Sequence, residues 1–382
     1  MGNHVSCFRP SKADRAFASE TEHRVLPNEK CKGFYDLIIA LFKAATDATL
    51  CSVMSPYSLA IVLAMLQDGA TGDSQSELSA LLLKDEDSNA VKKYYCNLIS
   101  AIASSAEKHA KRLEKLPKHR APKLSVLHVF SQFFVDERFM LTNDYEKHVK
   151  HSYDAGIEKV NMSDNEAIVA RINGLVREKT NGLISQIVDS SVSDSLAILI
   201  NTVYFEAKWK LNFDDRYNHQ GIFHGLAGDR EELFMDRGPA AGNYMCHFAD
   251  ELQAAHLPYV GPYTFLIVMP FTEFSAWRDS LTGEQFFQIC ANMSPQTLEL
   301  QFIMPKFETE SSIDCRGAPQ QLGVNRILSD EAELSNMLPS GSGFKISSII
   351  HKAVIKRDFR VDRPFIYAIM NENIPIFIGQ YV

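Results

Sequence analysis

The chain reads Leu199-Ile200-Asn201-Thr202-Val203-Tyr204-Phe205-Glu206-Ala207-Lys208-Trp209 near its middle, and the residues as far as Phe205 are β-branched, aliphatic or aromatic except for one amide. Such residues are enriched in strands, so we expect a strand over Ser195–Phe205. Asn201 is the exception, because a polar side chain inside a buried strand must find hydrogen-bond partners. The run therefore predicts a strand in a large core with a polar group at its centre.

Other elements follow from periodicity. Apolar residues at helical spacing predict a first helix through Phe34–Phe42, a second after Ser55-Pro56, a third through Leu78–Leu82 and another over Asp164–Lys179. Apolar runs predict strands at Ser125–Val135, Tyr263–Pro270, Thr297–Pro305 and Lys345–Ile355, and a hairpin from Phe365–Met370 and Pro375–Tyr381. Helices dominate the first third and strands the last, which indicates one α+β domain with large antiparallel or mixed sheets.

Composition restricts the classes of function. A net charge of −8 argues against general nucleic-acid binding, and no stretch stays apolar for the length of a membrane helix. Seven dispersed cysteines without metal-ligand spacing indicate reduced thiols. With no secretory signal visible, we expect a cytoplasmic monomer; the alternative is secretion without a recognisable signal peptide.

Residues 1–30 are interpreted as an N-terminal extension. Met1-Gly2-Asn3-His4-Val5-Ser6 fits the N-myristoylation pattern at Gly2, and Cys7 is a candidate second acylation site. Membrane association would need both, since one myristoyl chain binds membranes only marginally. The alternative interpretation is a disordered start.

Several segments match one family in the right order. Val53–Ser58 resembles F-F-S-P-x-S, Gly69-Ala70-Thr71-Gly72 with Glu77-Leu78 resembles L-G-A-x-G-x-T-x-x-E-I, and Leu199–Trp209 is close to L-V-N-A-I-Y-F-K-G-x-W. The remaining matches are Ile172–Ile184 (with Leu175 where Trp is usual), Leu257–Tyr259, Met304–Phe307, Leu322–Val324 and Ile350–Ala353. From about Gly33 to Val382 the chain resembles the serpins, a family of serine protease inhibitors.

The resemblance implies a serpin domain over residues 31–382, with three β-sheets and about nine helices. In this family a reactive loop inserts into a five-stranded central sheet as an additional strand, and the attacking protease is trapped as an acyl-enzyme. Serine or cysteine proteases are therefore the implied partners of any form that contains the loop.

Within the matched positions, Ser55, Ser58, Asn201 and His351 resemble the polar cluster beneath the place where the central strands separate. Short polar side chains suit that place, because a small hydrogen-bonded set can exchange partners as the strands part. The alternative is that Asn201 and His351 are ordinary core polar residues with satisfied hydrogen bonds.

The reactive loop is missing from the sequence. A working loop begins with a hinge such as E-x-G-T-x-A-A-A, whereas here Ile355 is followed by Lys356-Arg357-Asp358 and then by the strand motif from Phe359. We therefore predict that the chain does not inhibit proteases. Three explanations stay open: a variant lacking an exon segment, a non-inhibitory relative, or residues omitted from the sequence.

A basic stretch is the other candidate site. Seven cations lie between residues 108 and 123: Lys108, Lys111, Arg112, Lys115, Lys118, Arg120 and Lys123. Against an acidic background they can attract a polyanion such as a glycosaminoglycan, although the simpler interpretation is a solvated loop or helix face. No catalytic motif is found and no cofactor or metal is expected, so the alternative function is a non-inhibitory binding protein for a polyanion or a membrane-associated partner.

Overall fold

The computed structural model describes residues 32–115, 125–182, 184–189, 196–210, 213–314, 317–338, 346, 348–356 and 362–382. Nine α-helices lie in these parts of the chain: α1 Lys32–Ala45, α2 Pro56–Gly69, α3 Gly72–Leu82, α4 Ser88–Glu114, α5 Asn143–Ser152, α6 Asn165–Lys179, α7 Phe274–Ser280, α8 Gly283–Ala291 and α9 Gly317–Gln321. Short 3-10 turns occupy Asp215–Tyr217 and Arg326–Leu328.

The same parts contain thirteen strands. They are β1 Ser52–Met54, β2 Val126–Asp136, β3 Gly156–Val160, β4 Ala197–Glu206, β5 His219–Gly225, β6 Gly228–Phe248, β7 Leu252–Pro258, β8 Tyr263–Pro270, β9 Ser294–Pro305, β10 Glu308–Asp314, β11 Ser348–Lys356, β12 Phe365–Asn371 and β13 Ile374–Tyr381. Each helix and strand range predicted from periodicity overlaps an observed element of the same type. The predicted terminal hairpin is confirmed as β12 and β13, which pair antiparallel.

The helix starts follow local sequence chemistry. Ser55 caps α2, because its hydroxyl accepts a hydrogen bond from the Ser58 N–H, and Pro56 occupies the first helical turn, where its missing N–H costs nothing. Asp87 and Asp164 cap α4 and α6 in the same way. These caps satisfy amide groups that would otherwise have no partner inside the helix.

Two hydrogen-bonded arrays of strands make up the sheets. The five-stranded central sheet has the order β10-β11-β4-β2-β3, and the second array runs β1-β13-β12-β8-β7-β6-β5, with β9 also paired to β6. The long strand β6 belongs to two layers of the second array: its first half pairs with β5 and its end pairs with β7, and its register shifts between Asp236 and Pro239. When the second array is divided into two sheets at this irregularity of β6, the fold has three sheets. The predicted α+β class is confirmed.

The central strand β4 is buried on both faces, which explains its almost uninterrupted apolar sequence. Leu199 and Val203 face the main core, which also contains α1 and α2. Ile198 and Ile200 face the opposite way, into a smaller cluster built with Ile172 and other apolar residues of α6. Helix α6 therefore covers the outer face of the central sheet, while α2 lies beneath it. Among the described residues, the helices are too short or too polar to cross a bilayer.

Candidate functional site

Three of the four predicted cluster residues form one hydrogen-bonded chain beneath the central sheet. Ser55 Oγ donates to the Ile376 carbonyl oxygen at 2.7 Å, and Ser58 Oγ lies 3.1 Å from the Ser55 carbonyl oxygen. Ser58 Oγ also lies 2.6 Å from Asn201 Oδ1. Ser55, Ser58 and Asn201 are all fully buried. The chain of bonds links α2 and β13 to β4, so the polar residues join the helix layer to the sheet.

Ser131 also belongs to this network, and no sequence motif predicted it. Asn201 Nδ2 donates to Ser131 Oγ at 3.0 Å, and the two residues face each other across β4 and β2. Ser131 lies in the strand sequence Val126–Asp136, where a single serine carries no distinctive signal. Only the register of β2 against β4 brings it to Asn201.

The position of the fourth predicted residue, His351, follows from the pairing of its strand. In the parallel pairing of β11 with β4, His351 lies in register with Asn201, and on its other side it pairs with Ile313 of β10. Ser131, Asn201 and His351 therefore occupy one row across three neighbouring strands. The row crosses the sheet where β4 and β11 meet.

The β4–β11 pair is the seam of the central sheet. Ser348–Val354 pair in parallel with Ile198–Tyr204 over seven residues. Every other pair in this sheet except β2–β3 is antiparallel. Two neighbouring strands that run in the same direction leave room, when they separate, for a third strand antiparallel to both. The seam is closed in this structure.

An aromatic stack holds the far end of β4. The Trp209 and Tyr259 rings lie 4.4 Å apart and nearly parallel, and the Phe205 and Tyr263 rings meet edge to face at 5.1 Å. Burial raises the pKa of Tyr263 to about 12, so its phenol stays neutral in this apolar contact. Aromatic contacts of this kind fix the end of β4 against β8.

The structure describes the first two residues of the predicted loop junction, Ile355–Phe359. Ile355 and Lys356 belong to β11 and pair with Thr309 and Glu308, so the strand extends one residue past Ile355. Arg357, Asp358 and Phe359 lie outside the described residues. The chain is described again at Asp362, whose carbonyl oxygen accepts a hydrogen bond from the His224 N–H of β5 at 2.7 Å.

The basic stretch begins as one face of a helix. Lys108, Lys111 and Arg112 lie in the last turns of α4 and Lys115 caps it, and all four side chains are exposed. Their spacing of three, four and seven residues places them on one side of the helix. Lys111 also pairs with Glu107 at 2.8 Å, and this contact raises the pKa of Lys111.

Other predicted residues lie outside the described part of the chain. These are Lys118, Arg120 and Lys123 of the basic stretch and the acylation candidates Gly2 and Cys7. In the described ranges, no group of three or more His, Cys, Asp or Glu side chains is arranged to hold a metal ion. Cys51, Cys96 and Cys246 are free cysteines in the structure.

Comparisons with known proteins agree with this architecture. The family model described as "Serpin (serine protease inhibitor)" matches residues 35–358. "Serine protease inhibitor 42Dd" of Drosophila melanogaster is 24% identical over 384 residues, covering 92% of this chain and 96% of that protein.

Two solved structures share the fold. The thermophilic serpin tengpin in its native state superposes with a TM-score of 0.78 at 24% identity, covering 94% of this chain and 95% of the other. Native protease nexin-1 with heparin gives a TM-score of 0.79 at 21% identity, covering 91% and 97%. The family model spans most of the chain, and the solved structures share its fold. The chain belongs to the serpin family of serine protease inhibitors.

Proposed function

We propose that this chain, with the sequence it has, is a non-inhibitory serpin that does not trap a protease covalently. The observation that carries this proposal is the short connection from β11 to β12. Strand β11 ends at Lys356 and β12 begins at Phe365. Only the eight residues from Arg357 to Pro364 join them.

That connection is too short for the inhibitory mechanism. A strand inserted along the seven paired residues of the seam would need about 23 Å of extended chain. The chain must then return by a similar distance to reach β12. The five residues 357–361 span at most roughly 17 Å, and Asp362 is already bonded to β5. No segment of this length can both present a bait to a protease and supply the inserted strand.

Three features of the scaffold support the inference that this fold could accept a strand if one were supplied. The parallel seam, the polar row beneath it and the cover of α6 are all present. Protease partners would then belong to a loop-containing form of the protein, and the chain with this sequence would be a variant of an inhibitor or a non-inhibitory relative.

A gel assay tests the proposal. The chain is incubated with trypsin-like, chymotrypsin-like and elastase-like proteases, with a loop-bearing serpin as the positive control, and each mixture is run in SDS. We expect no band at the summed mass of chain and protease, and no rise in the thermal midpoint after limited proteolysis. An SDS-resistant complex that depends on an active protease would overturn the proposal.

A second function, polyanion binding, is favoured by the exposed face of α4. Lys108, Lys111, Arg112 and Lys115 concentrate positive charge on one side of a helix in a chain whose net charge is −8. One structure with the same fold was solved with heparin. Such a local patch attracts polyanions even when the whole protein is acidic.

Retention on a heparin column tests this binding. Neutralising all four side chains to Ala should lower the salt concentration needed for elution. The control variant Lys147→Ala/Lys150→Ala removes two exposed lysines from α5 and should elute close to the unmodified protein. Equal elution of the two variants would show that the α4 face does not bind.

The compartment and assembly state complete the proposal. We propose a monomer in the cytoplasm that associates with membranes when Gly2 and Cys7 are acylated, with secretion lacking a recognisable signal as the alternative. Metabolic labelling with a myristate analogue, compared between the unmodified protein and Gly2→Ala, tests the acylation. Label retained in Gly2→Ala would contradict it.

A further inference from the structure

A second, partly buried polar cluster lies away from the seam, where α2 meets α5. His148 Nε2 lies 2.6 Å from Asp68 Oδ2, and Ser152 Oγ lies 2.9 Å from the other ring nitrogen, Nδ1. The Tyr153 hydroxyl donates to the same Asp68 oxygen at 2.7 Å. A hydroxyl, an imidazole and a carboxylate thus form one continuous hydrogen-bonded line.

The partners fix the direction of these bonds. A carboxylate only accepts, so Nε2 of His148 carries the proton that points at Asp68. In the neutral form of His148, Nδ1 is then an acceptor for the Ser152 hydroxyl. A nucleophile bonded to a base, with the base oriented by a third group, is the arrangement that activates a serine in acyl-transfer sites.

Two packed helices supply the three groups. His148 and Ser152 are four residues apart on α5 and so share one face, and Asp68 is the penultimate residue of α2. Tyr145 fixes the two helices, since its hydroxyl donates to the Met65 carbonyl oxygen at 3.0 Å. The Asp68 side chain is 5% exposed and that of His148 is 21% exposed, while Ser152 is half-buried.

Two side chains beside the cluster, Tyr153 and Cys96, stay protonated. Burial, strengthened by the charge of Asp68, raises the pKa of Tyr153, so its phenol remains a donor. Burial and Asp68 also raise the pKa of the Cys96 thiol beside Ser152, which keeps that sulfur protonated and a weak competitor. The Lys92 ammonium lies 3.9 Å from Asp68.

The carboxylate is not a requirement of the fold. Leu precedes Gly in the family pattern L-G-A-x-G, whereas Asp68 precedes Gly69 here. A buried Asp at the C-terminal end of a helix is unfavourable near the negative end of the helix dipole unless it is paired. The pairing with His148, Tyr153 and Lys92 supplies that compensation.

We propose that Ser152 is a nucleophilic serine that accepts acyl or phosphonyl groups from small activated esters and fluorophosphonates, with His148 as its base and Asp68 as the positioning residue. With an activated ester, Ser152 Oγ bonds to the acyl carbon, the bond from that carbon to the leaving aryloxide breaks, and the serine proton passes to His148 Nδ1 and then to the aryloxide. With a fluorophosphonate, Ser152 Oγ bonds to phosphorus, the P–F bond breaks, and the serine proton passes to His148 Nδ1 while fluoride leaves. Activated esters fit this site better than amides, because a good leaving group needs less oxyanion stabilisation.

Covalent labelling tests the proposal on the full chain. The unmodified protein is treated with a fluorophosphonate probe and, separately, with p-nitrophenyl acetate, and the modified residue is located by peptide mass spectrometry. We expect one label, on Ser152, at a rate that rises to a plateau with pH. Ser152→Ala should abolish it, and His148→Gln should slow it about 100-fold and remove the pH dependence.

Matched variants separate chemistry from folding. Ser100→Ala removes another hydroxyl near Cys96, one that bonds to the Cys96 carbonyl oxygen, and should label normally. Asp68→Asn should slow labelling and shift its pH profile, whereas a purely structural role would lower thermal stability without moving that profile. Mapping the label on the unmodified protein requires no variant to fold, so it tests the proposal by itself. Label on Cys96, or on scattered lysines and tyrosines, overturns the proposal. Labelling of Ser152→Ala at the rate of the unmodified protein also overturns it.

Discussion

Ser58 Oγ and Asn201 Oδ1 lie 2.6 Å apart in the fully buried space between helix α2 and the central strand β4. Ser58 is already committed to the helix start, since its N–H donates to the capping hydroxyl of Ser55. One residue therefore ties the beginning of α2 to the middle of the sheet.

Removing this contact should destabilise the fold. Ser58→Ala removes the buried hydroxyl that donates to Asn201 Oδ1, and we expect a loss of about 1–3 kcal/mol in the free energy of unfolding, measured in urea. Ser76→Ala is the control, because the exposed Ser76 hydroxyl donates to the nearby Gly72 carbonyl oxygen within helix α3. Equal midpoints for the two variants would show that the buried bond contributes nothing.

A side chain at Gly283 should destabilise the protein. A Cβ atom at this position would lie within van der Waals overlap of Asp36, 2.3 Å from its Cα and 2.4 Å from its backbone nitrogen, where α8 crosses α1. Backbone atoms cannot move aside as a side chain can, so Gly283→Ala should cost roughly 1–3 kcal/mol in thermal or urea unfolding.

We expect Gly174→Ala to have the opposite effect on stability from Gly283→Ala. Gly174 lies inside α6, and apart from its chain neighbours and the backbone of its own helix no atom comes within 4 Å of the place that an alanine methyl group would occupy. Gly174→Ala should therefore stabilise the protein by about 0.5–1 kcal/mol. A destabilised Gly174→Ala, or an unaffected Gly283→Ala, would contradict the helix packing described above.

The Asp136–Arg138 pair should make stability depend on acid pH. Hydrogen bonds from the Arg138 guanidinium, at 2.7 and 3.0 Å, lower the pKa of the buried Asp136 carboxyl. A carboxyl with a lowered pKa stabilises the fold above its unfolded pKa of about 3.9 and loses that stabilisation as the pH falls through the folded value.

Arg138→Gln should therefore weaken the fold at pH 7 and flatten its loss of stability in acid below about pH 4. Arg138 is largely exposed, so we expect an effect below about 1 kcal/mol in urea unfolding. Arg177→Gln on the exposed side of α6 should leave the pH profile unchanged. Parallel profiles for the unmodified protein and Arg138→Gln would refute the assignment.

A grafted loop should restore strand insertion. Placing about 20 residues with a hinge of small side chains between Lys356 and Arg357 supplies the chain length that the seam requires. Cleavage of that loop should raise the thermal midpoint, a rise that we do not expect in the unmodified chain. A graft of equal length with prolines in the hinge should show no rise, because proline cannot complete a central strand.

Much of the fold could be predicted from the sequence. The apolar run of β4, the Ser55-Pro56 helix start and the Phe365–Tyr381 hairpin depend on local propensity and periodicity, which act over a few residues. The candidate cluster was foreseen only where the family motif marked it. Ser131 was missed, because a serine in a strand has no local signal and acquires its role from the register of β2 against β4.

Motifs, periodicity and chain length can be counted along one dimension, so the amino-acid sequence was enough to establish the family, the element types and the shortness of the connection after β11. Which side chains meet could be learned only from the folded chain. Asp68, His148 and Ser152 have no pattern in the sequence, yet the crossing of α2 and α5 brings them within hydrogen-bond distance. Contacts between distant residues depend on packing and register, and these are set by the whole chain at once.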